Sequence, residues 1–154
     1  MTTAPIPAEQ QAFLTKVQAD AGLRDIYDAR DLSLIVFRTM RDLLPTDASD
    51  RVAAELHVPV IATDKKALQK EVADLWQDTN PLVAWLSRLR GPLSFDADLF
   101  IRRVEQEGGL PRGTTGITAI KAVFVATKAE LSAERSTELV QYLPGEIKTL
   151  WEQA

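Results

Sequence analysis

Phe13, Val17, Gly22 and Leu23 recur as Phe100, Val104, Gly109 and Leu110, each 87 residues further along the chain (100 − 13 = 87). The same displacement carries Val36 and Phe37 to Val123 and Phe124, Leu44 to Leu131, Ser49 to Ser136 and Leu56 to Leu143, with no gap from Phe13 to Val58. Each pair has one structural job: an apolar side chain facing a core, a glycine that stops a helix, a hydroxyl near a helix start. A unit spelled twice in this way cannot cover its own apolar face, so the pattern predicts two copies packed together.

The unit is helical. Apolar residues recur at three and four throughout, and the alternation of a half-buried strand is missing. A first helix is expected from Pro7, where a missing N–H costs nothing, to Gly22, a left-handed stop. A second runs from about Asp28 to Leu44 and is closed by Pro45; Thr46 caps a third that ends near His57 and Pro59. Thr63 and Asp64 are expected to cap a fourth, with Leu68, Val72, Leu75 and Trp76 on one face. Asn80 and Pro81 start a fifth that runs to Arg90, before Gly91-Pro92 breaks it.

The phrase "EVADLW" (Glu71–Trp76) returns as "EIKTLW" (Glu146–Trp151), but at a step of 75 (151 − 76 = 75). The difference of 12 residues places an insertion at about Pro59 to Lys70 of the first copy. The expected fold is therefore all-α, one domain over 1–154, made of two tandem copies of a three-to-four-helix unit related by a pseudo-two-fold repeat. Copy one spans 7–77, a connector helix 78–95, and copy two 96–154.

Composition sets the class. With 154 residues, 45% hydrophobic and 26% charged, the chain is long enough to bury roughly 70% of its unfolded surface and hold a core without staples. There is no cysteine, which excludes disulfides, thiolate nucleophiles and cysteine-ligated metals. A net charge of −4 argues against nucleic acid, because Lys65, Lys66 and Lys70, then Arg102 and Arg103, are each diluted by neighbouring acids. The start "MTTAPIPAEQQ" lacks a signal's basic and apolar regions, and no run reaches the roughly 18 apolar residues of a membrane span, so a cytoplasmic protein with no membrane insertion is expected.

Several longer stretches carry a resemblance: "LFIRRVEQEGGL" (Leu99–Leu110), "VFVATKAELSAERSTELVQYLPGEIKTLW" (Val123–Trp151) and, in the first copy, "AFLTKVQADAGL" and "VFRTMRDLLPTDASDRVAAELH". Over about two thirds of its length the chain resembles a bacterial family known as domain of unknown function twenty-two sixty-seven. The resemblance implies tandem helical repeats in which a Leu-Pro pair closes the third helix of each unit. Leu143-Pro144 keeps that pair, whereas the first copy has Leu56-His57 before the insertion. It brings no catalytic residue with it.

Residues with chemical potential are few. His57 is the single histidine, which excludes the helical di-iron arrangement and leaves a helix C-terminal role as the simpler reading. Glu71, Asp74 and Asp78 share a helical face, yet copy two has Thr149 opposite Asp74, so the cluster is not a property of the unit and reads as solvated. In "GGLPRGTTG", Gly108 and Gly113 have the spacing of a phosphate loop, but Thr114 and Thr115 stand where Lys and Ser/Thr are needed and no strand precedes. A weaker anion site survives at Arg112, Thr114 and Thr115, on a helix N-terminus, beside the plainer reading of a cap and turn.

The connector "PLVAWLSRLRGPLSF" (Pro81–Phe95) is the most unusual segment. Leu82, Val83, Trp85, Leu86 and Leu89 cover more than one helical face, with Ser87, Arg88 and Arg90 as its polar members. So wide an arc is either sandwiched between the copies or presented to a partner. The functional expectation is a non-enzymatic helical protein-interaction module, an adaptor, regulator or assembly partner, with no cofactor or metal. Its interface rests on Trp85, Leu82, Leu86 and Leu89 with Arg88 and Arg90 as rim, and its partner is another protein or a second copy. The alternative is a small-ligand or anion-binding protein with a pocket between the copies.

Overall fold

Helix boundaries follow from the capping residues. Asp25, Asp96, Thr115 and Ser132 each have extended backbone and accept with the side chain from the amide three residues on, so helices begin at Ile26, Ala97, Gly116 and Ala133. The second helix therefore starts two residues before the expected Asp28, whose own N–H is the one Asp25 caps at 2.9 Å. Gly22 (φ 69°) and Gly109 (φ 64°) turn the chain out of the helices before them through the left-handed region, where any side chain is strained.

The computed structural model describes residues 8–57, 69–76 and 92–154, and the regular secondary structure among them is all α-helical. In order these are α1 (Ala8–Ala21), α2 (Ile26–Leu43), α3 (Thr46–His57), α4 (Gln69–Trp76), α5 (Ala97–Glu107), α6 (Gly116–Lys128), α7 (Ala133–Val140) and α8 (Gly145–Gln153). The expected cap at Thr63 and Asp64, most of the insertion at 59–70 and the connector helix at 81–90 lie outside the described residues. Gln69 and Lys70 open the described part of the fourth helix, α4. The described end of the connector, from Pro92 to Phe95, is not helical.

Four helices make the centre. α1 packs on α2 and α6, α5 packs on α6 and α2, and α2 also touches α6, which closes a four-helix ring. α4 covers α1 and α2 and carries α3 on its other side; α8 covers α5 and α6 and carries α7. The outer helices α3 and α7 meet each other. The chain entering α5 is pinned to the end of α2: the Leu93 N–H donates to the Asp42 carbonyl at 2.6 Å, and Arg103 pairs with the Asp42 carboxylate at 3.0 Å while lying 5.6 Å over the Phe95 ring.

Two aromatic ladders run through the core. Phe13 stacks on Phe37 at 6.2 Å and Phe37 on Trp76 at 5.4 Å; Phe100 stacks on Phe124 at 6.4 Å and Phe124 on Trp151 at 5.1 Å. Both tryptophans are 1% exposed, and the four phenylalanines are fully buried. Each indole N–H has a partner, the Ser49 carbonyl at 3.3 Å for Trp76 and the Ser136 hydroxyl at 2.9 Å for Trp151. A cation closes each ladder: Arg41 donates to the Trp76 carbonyl, and the Lys128 ammonium to the Trp151 carbonyl at 2.9 Å, where positive charge also complements a helix C-terminus. Among the described residues, no helix is long and apolar enough to cross a membrane.

Because each ladder ends on a fully packed tryptophan, Trp76→Ala and Trp151→Ala should each cost about 3–5 kcal/mol of unfolding free energy in denaturant titrations. A near-native midpoint for Trp151→Ala would instead show that its ring contributes little to the core.

Candidate functional site

The segment Gly108–Gly116 lies against the end of α1. Thr114 Oγ1 donates to the Ala21 carbonyl at 3.2 Å, which fixes the loop beside Gly22. Thr115 Oγ1 accepts from the Thr118 N–H at 3.1 Å and donates to Thr118 Oγ1 at 3.0 Å. The Gly116 N–H donates to Glu105 Oε2 at 3.2 Å, and a Cβ at residue 116 would meet the Glu105 Cγ at 2.7 Å, so glycine is what lets α5 supply that carboxylate. Arg112 is exposed. Of the residues expected to hold an anion, Thr114 and Thr115 are therefore engaged in a loop tie and a helix cap, and the negative charge at this helix start is the protein's own Glu105.

The meeting of α3 and α7 is ionic. Arg51 Nε approaches both oxygens of Glu138, at 2.9 and 3.1 Å, and Arg51 also pairs with Asp47 one turn back at 3.4 Å. Arg135 reaches the same Glu138 at 2.9 Å and Glu134 at 2.7 Å, while Glu55 accepts from the Ser132 N–H at 3.2 Å. Glu138 thus lies between two guanidinium groups. The Arg51 hydrogen bond, aided by the Arg135 and Arg51 charges, holds its carboxyl below the ordinary 4.5. A depressed carboxylate contributes stability above its ordinary range that is lost as pH falls through its lowered value.

A second polar group is buried on α2. Asp28 is paired with Arg24 at 3.4 Å, and the Arg30 guanidinium lies 5.3 Å over the Tyr27 ring. Ser33 is fully buried, and its hydroxyl has no hydrogen-bond partner. Beside them Asp31 has its carboxyl raised above the ordinary 3.8 by burial, against the pull of Arg30 and helped by Asp28 and Asp25.

The proposed interface residues Leu82, Trp85, Leu86, Arg88, Leu89 and Arg90 lie outside the described residues, as do the His57, Glu71 and Asp78 side chains; Asp74 is half-buried. No group of three or more potential metal ligands occurs among the described residues. Sequence reasoning did not single out Arg41, Lys128, Arg51 or Glu138. The signal was available, since Lys128 follows Arg41, and Glu138 follows Arg51, at the same 87-residue step as the apolar pairs (128 − 41 = 87; 138 − 51 = 87).

Partial burial of Asp31 generates a pH test. Its folded form takes up a proton at higher pH than the unfolded chain, so stability is present below the ordinary 3.8 and is lost as pH rises through the raised value. Asp31→Asn should therefore melt at a higher temperature than wild type at pH 7, with the difference disappearing near pH 3. Equal melting temperatures at pH 7 would rule out a burial penalty at this carboxylate.

Comparison with known proteins adds one finding. None of the curated proteins compared with the chain matches it. One family does, described as an uncharacterized conserved protein, and the match covers residues 10–150, from the first helix to the last turn of α8. Nearly the whole chain is matched, and the protein belongs to the DUF2267 family.

Proposed function

We propose that this chain is a non-enzymatic helical interaction module, built as two copies of one unit, that serves in the cytoplasm as an adaptor, regulator or assembly partner for another protein or for a second copy of itself. The observation that carries the non-enzymatic part is where the polar side chains go. Thr114, Thr115 and Glu105, the groups nearest to a possible ligand site, hold a loop and a helix end.

The two-copy reading is supported by reciprocity. α1 lies on α6 as α5 lies on α2, and α4 covers α1 and α2 as α8 covers α5 and α6. Phe, Phe and Trp stack in the same order in both halves, each tryptophan N–H reaches residue 49 or its counterpart 136, and each tryptophan carbonyl receives a cation from residue 41 or its counterpart 128. Arg51 touches Glu138, its own counterpart, which is the behaviour of a position on a two-fold axis.

Both ladders contain a tryptophan, and the sequence places a third, Trp85, in the apolar connector with Arg88 and Arg90 close by. Tryptophan and arginine are the residue types that most often dominate binding at interfaces. Partner capture from native lysate, with sedimentation of the purified protein alongside, should show that Trp85→Asp loses partners or self-association while remaining folded. A folded Trp85→Asp protein with the same partners and the same mass in solution would remove the basis of this reading.

The buried Ser33 hydroxyl favours a second reading, a small-ligand or anion binder with a pocket between the copies, because a buried polar group without a partner costs stability that a ligand could recover. A ligand present at 100 times its dissociation constant should add about 2.7 kcal/mol of stability in a thermal-shift panel of anions, nucleotides and lipids. Unchanged melting across the panel would count against this alternative and leave the first.

A further inference from the structure

Among the described helices, α7 is the one least secured by apolar burial. It has eight residues, and Leu139 is its one buried side chain, whereas α2 buries seven apolar ones. A helix this short does not persist by propensity, so its neighbours must hold it. The ties that the structure gives it are mostly polar: Arg51 of α3 on Glu138, Glu55 of α3 on the N-cap amide of Ser132, and the Ser136 hydroxyl accepting from the Trp151 indole. Arg135 and Glu134 on α7 and Asp47 on α3 complete the charge set around Glu138. The bridging side chains are partly exposed, 43% for Arg51 and 23% for Glu138, so dissolved salt reaches them.

Elements with few buried apolar contacts open before the core does. We propose that α7 is a charge-latched strap, which swings off α3 as a unit while the four central helices stay closed, and that the Arg51–Glu138 bridge sets how often it opens. Opening breaks the Arg51 and Glu55 ties together, withdraws Leu139 from the core and takes the Ser136 hydroxyl from the Trp151 indole. The conformational change is thus coupled to the end of the second aromatic ladder. It rests on the geometry of α7 alone, independently of the interaction reading of Trp85.

Hydrogen exchange of the full chain, resolved by peptide mass spectrometry, tests this directly. In wild type, amides of α7 should exchange faster in about 1 M salt, where the screening length is about 3 Å, than at low ionic strength, because the latch is attractive. Arg51→Glu turns attraction into repulsion, so α7 should exchange about tenfold faster than wild type at low salt and slow down as salt is added. Arg51→Gln should lie between the two and lose most of the salt response, while α2 and α6 keep wild-type protection in every case. The strap is refuted if Arg51→Glu leaves α7 exchange unchanged, if its salt dependence keeps the wild-type sign, or if α2 and α6 lose protection in parallel, which marks global unfolding.

Discussion

Trp76 and Trp151 each bring a large ring and a polar N–H into the core, and the packing around them depends on satisfying both. The ring lies 5.4 or 5.1 Å from a phenylalanine of a central helix, Phe37 or Phe124, which in turn faces Phe13 or Phe100. Aromatic groups of this size dominate core energetics, and a buried indole N–H left without an acceptor would offset part of that gain. Ser49 and Ser136 provide the acceptors, so α3 and α7 are fixed relative to the ladders by a hydrogen bond as well as by packing. Removing the ring would therefore loosen a central helix and an outer helix together.

Around that core, the helix ends are satisfied from within the molecule. Arg41 and Lys128 bring positive charge to the C-terminal carbonyls of α4 and α8, and Glu105 brings negative charge to the first amide of α6. Both follow from the macrodipole, which favours cations at the end and anions at the start of a helix. The same pairing occupies the Gly116 amide at the end of the Gly108–Gly116 loop. Where apolar packing is thin, at α7, charge pairing takes over, and that contact responds to salt in a way the core does not.

Much of the helical framework was legible in the chain. Gly22 and Gly109 mark real left-handed stops, Pro45 follows the end of α2, and the core-facing Val36, Phe37 and Leu56 are buried. The start of α2 was set two residues late because Asp25 and Asp28 are both plausible caps by residue type, and backbone geometry decides between them. At the loop, the sequence offered Thr114 and Thr115 as cap and turn residues first and as a weaker anion site second. Which hydrogen bonds the loop makes depends on the Ala21 carbonyl and Glu105, distant in the chain, being neighbours in space.

What the sequence determined by itself, among the described residues, is the helical class and the burial of the apolar stripes, because a repeat of about 3.6 residues encodes a buried face locally. Only the tertiary structure decided that Arg51 meets Glu138, that Lys128 reaches the Trp151 carbonyl and that Glu105 serves the Gly116 amide. Those contacts join residues on separate helices. Their partners depend on how far each helix is rotated and offset against the next, and no local periodicity carries that information.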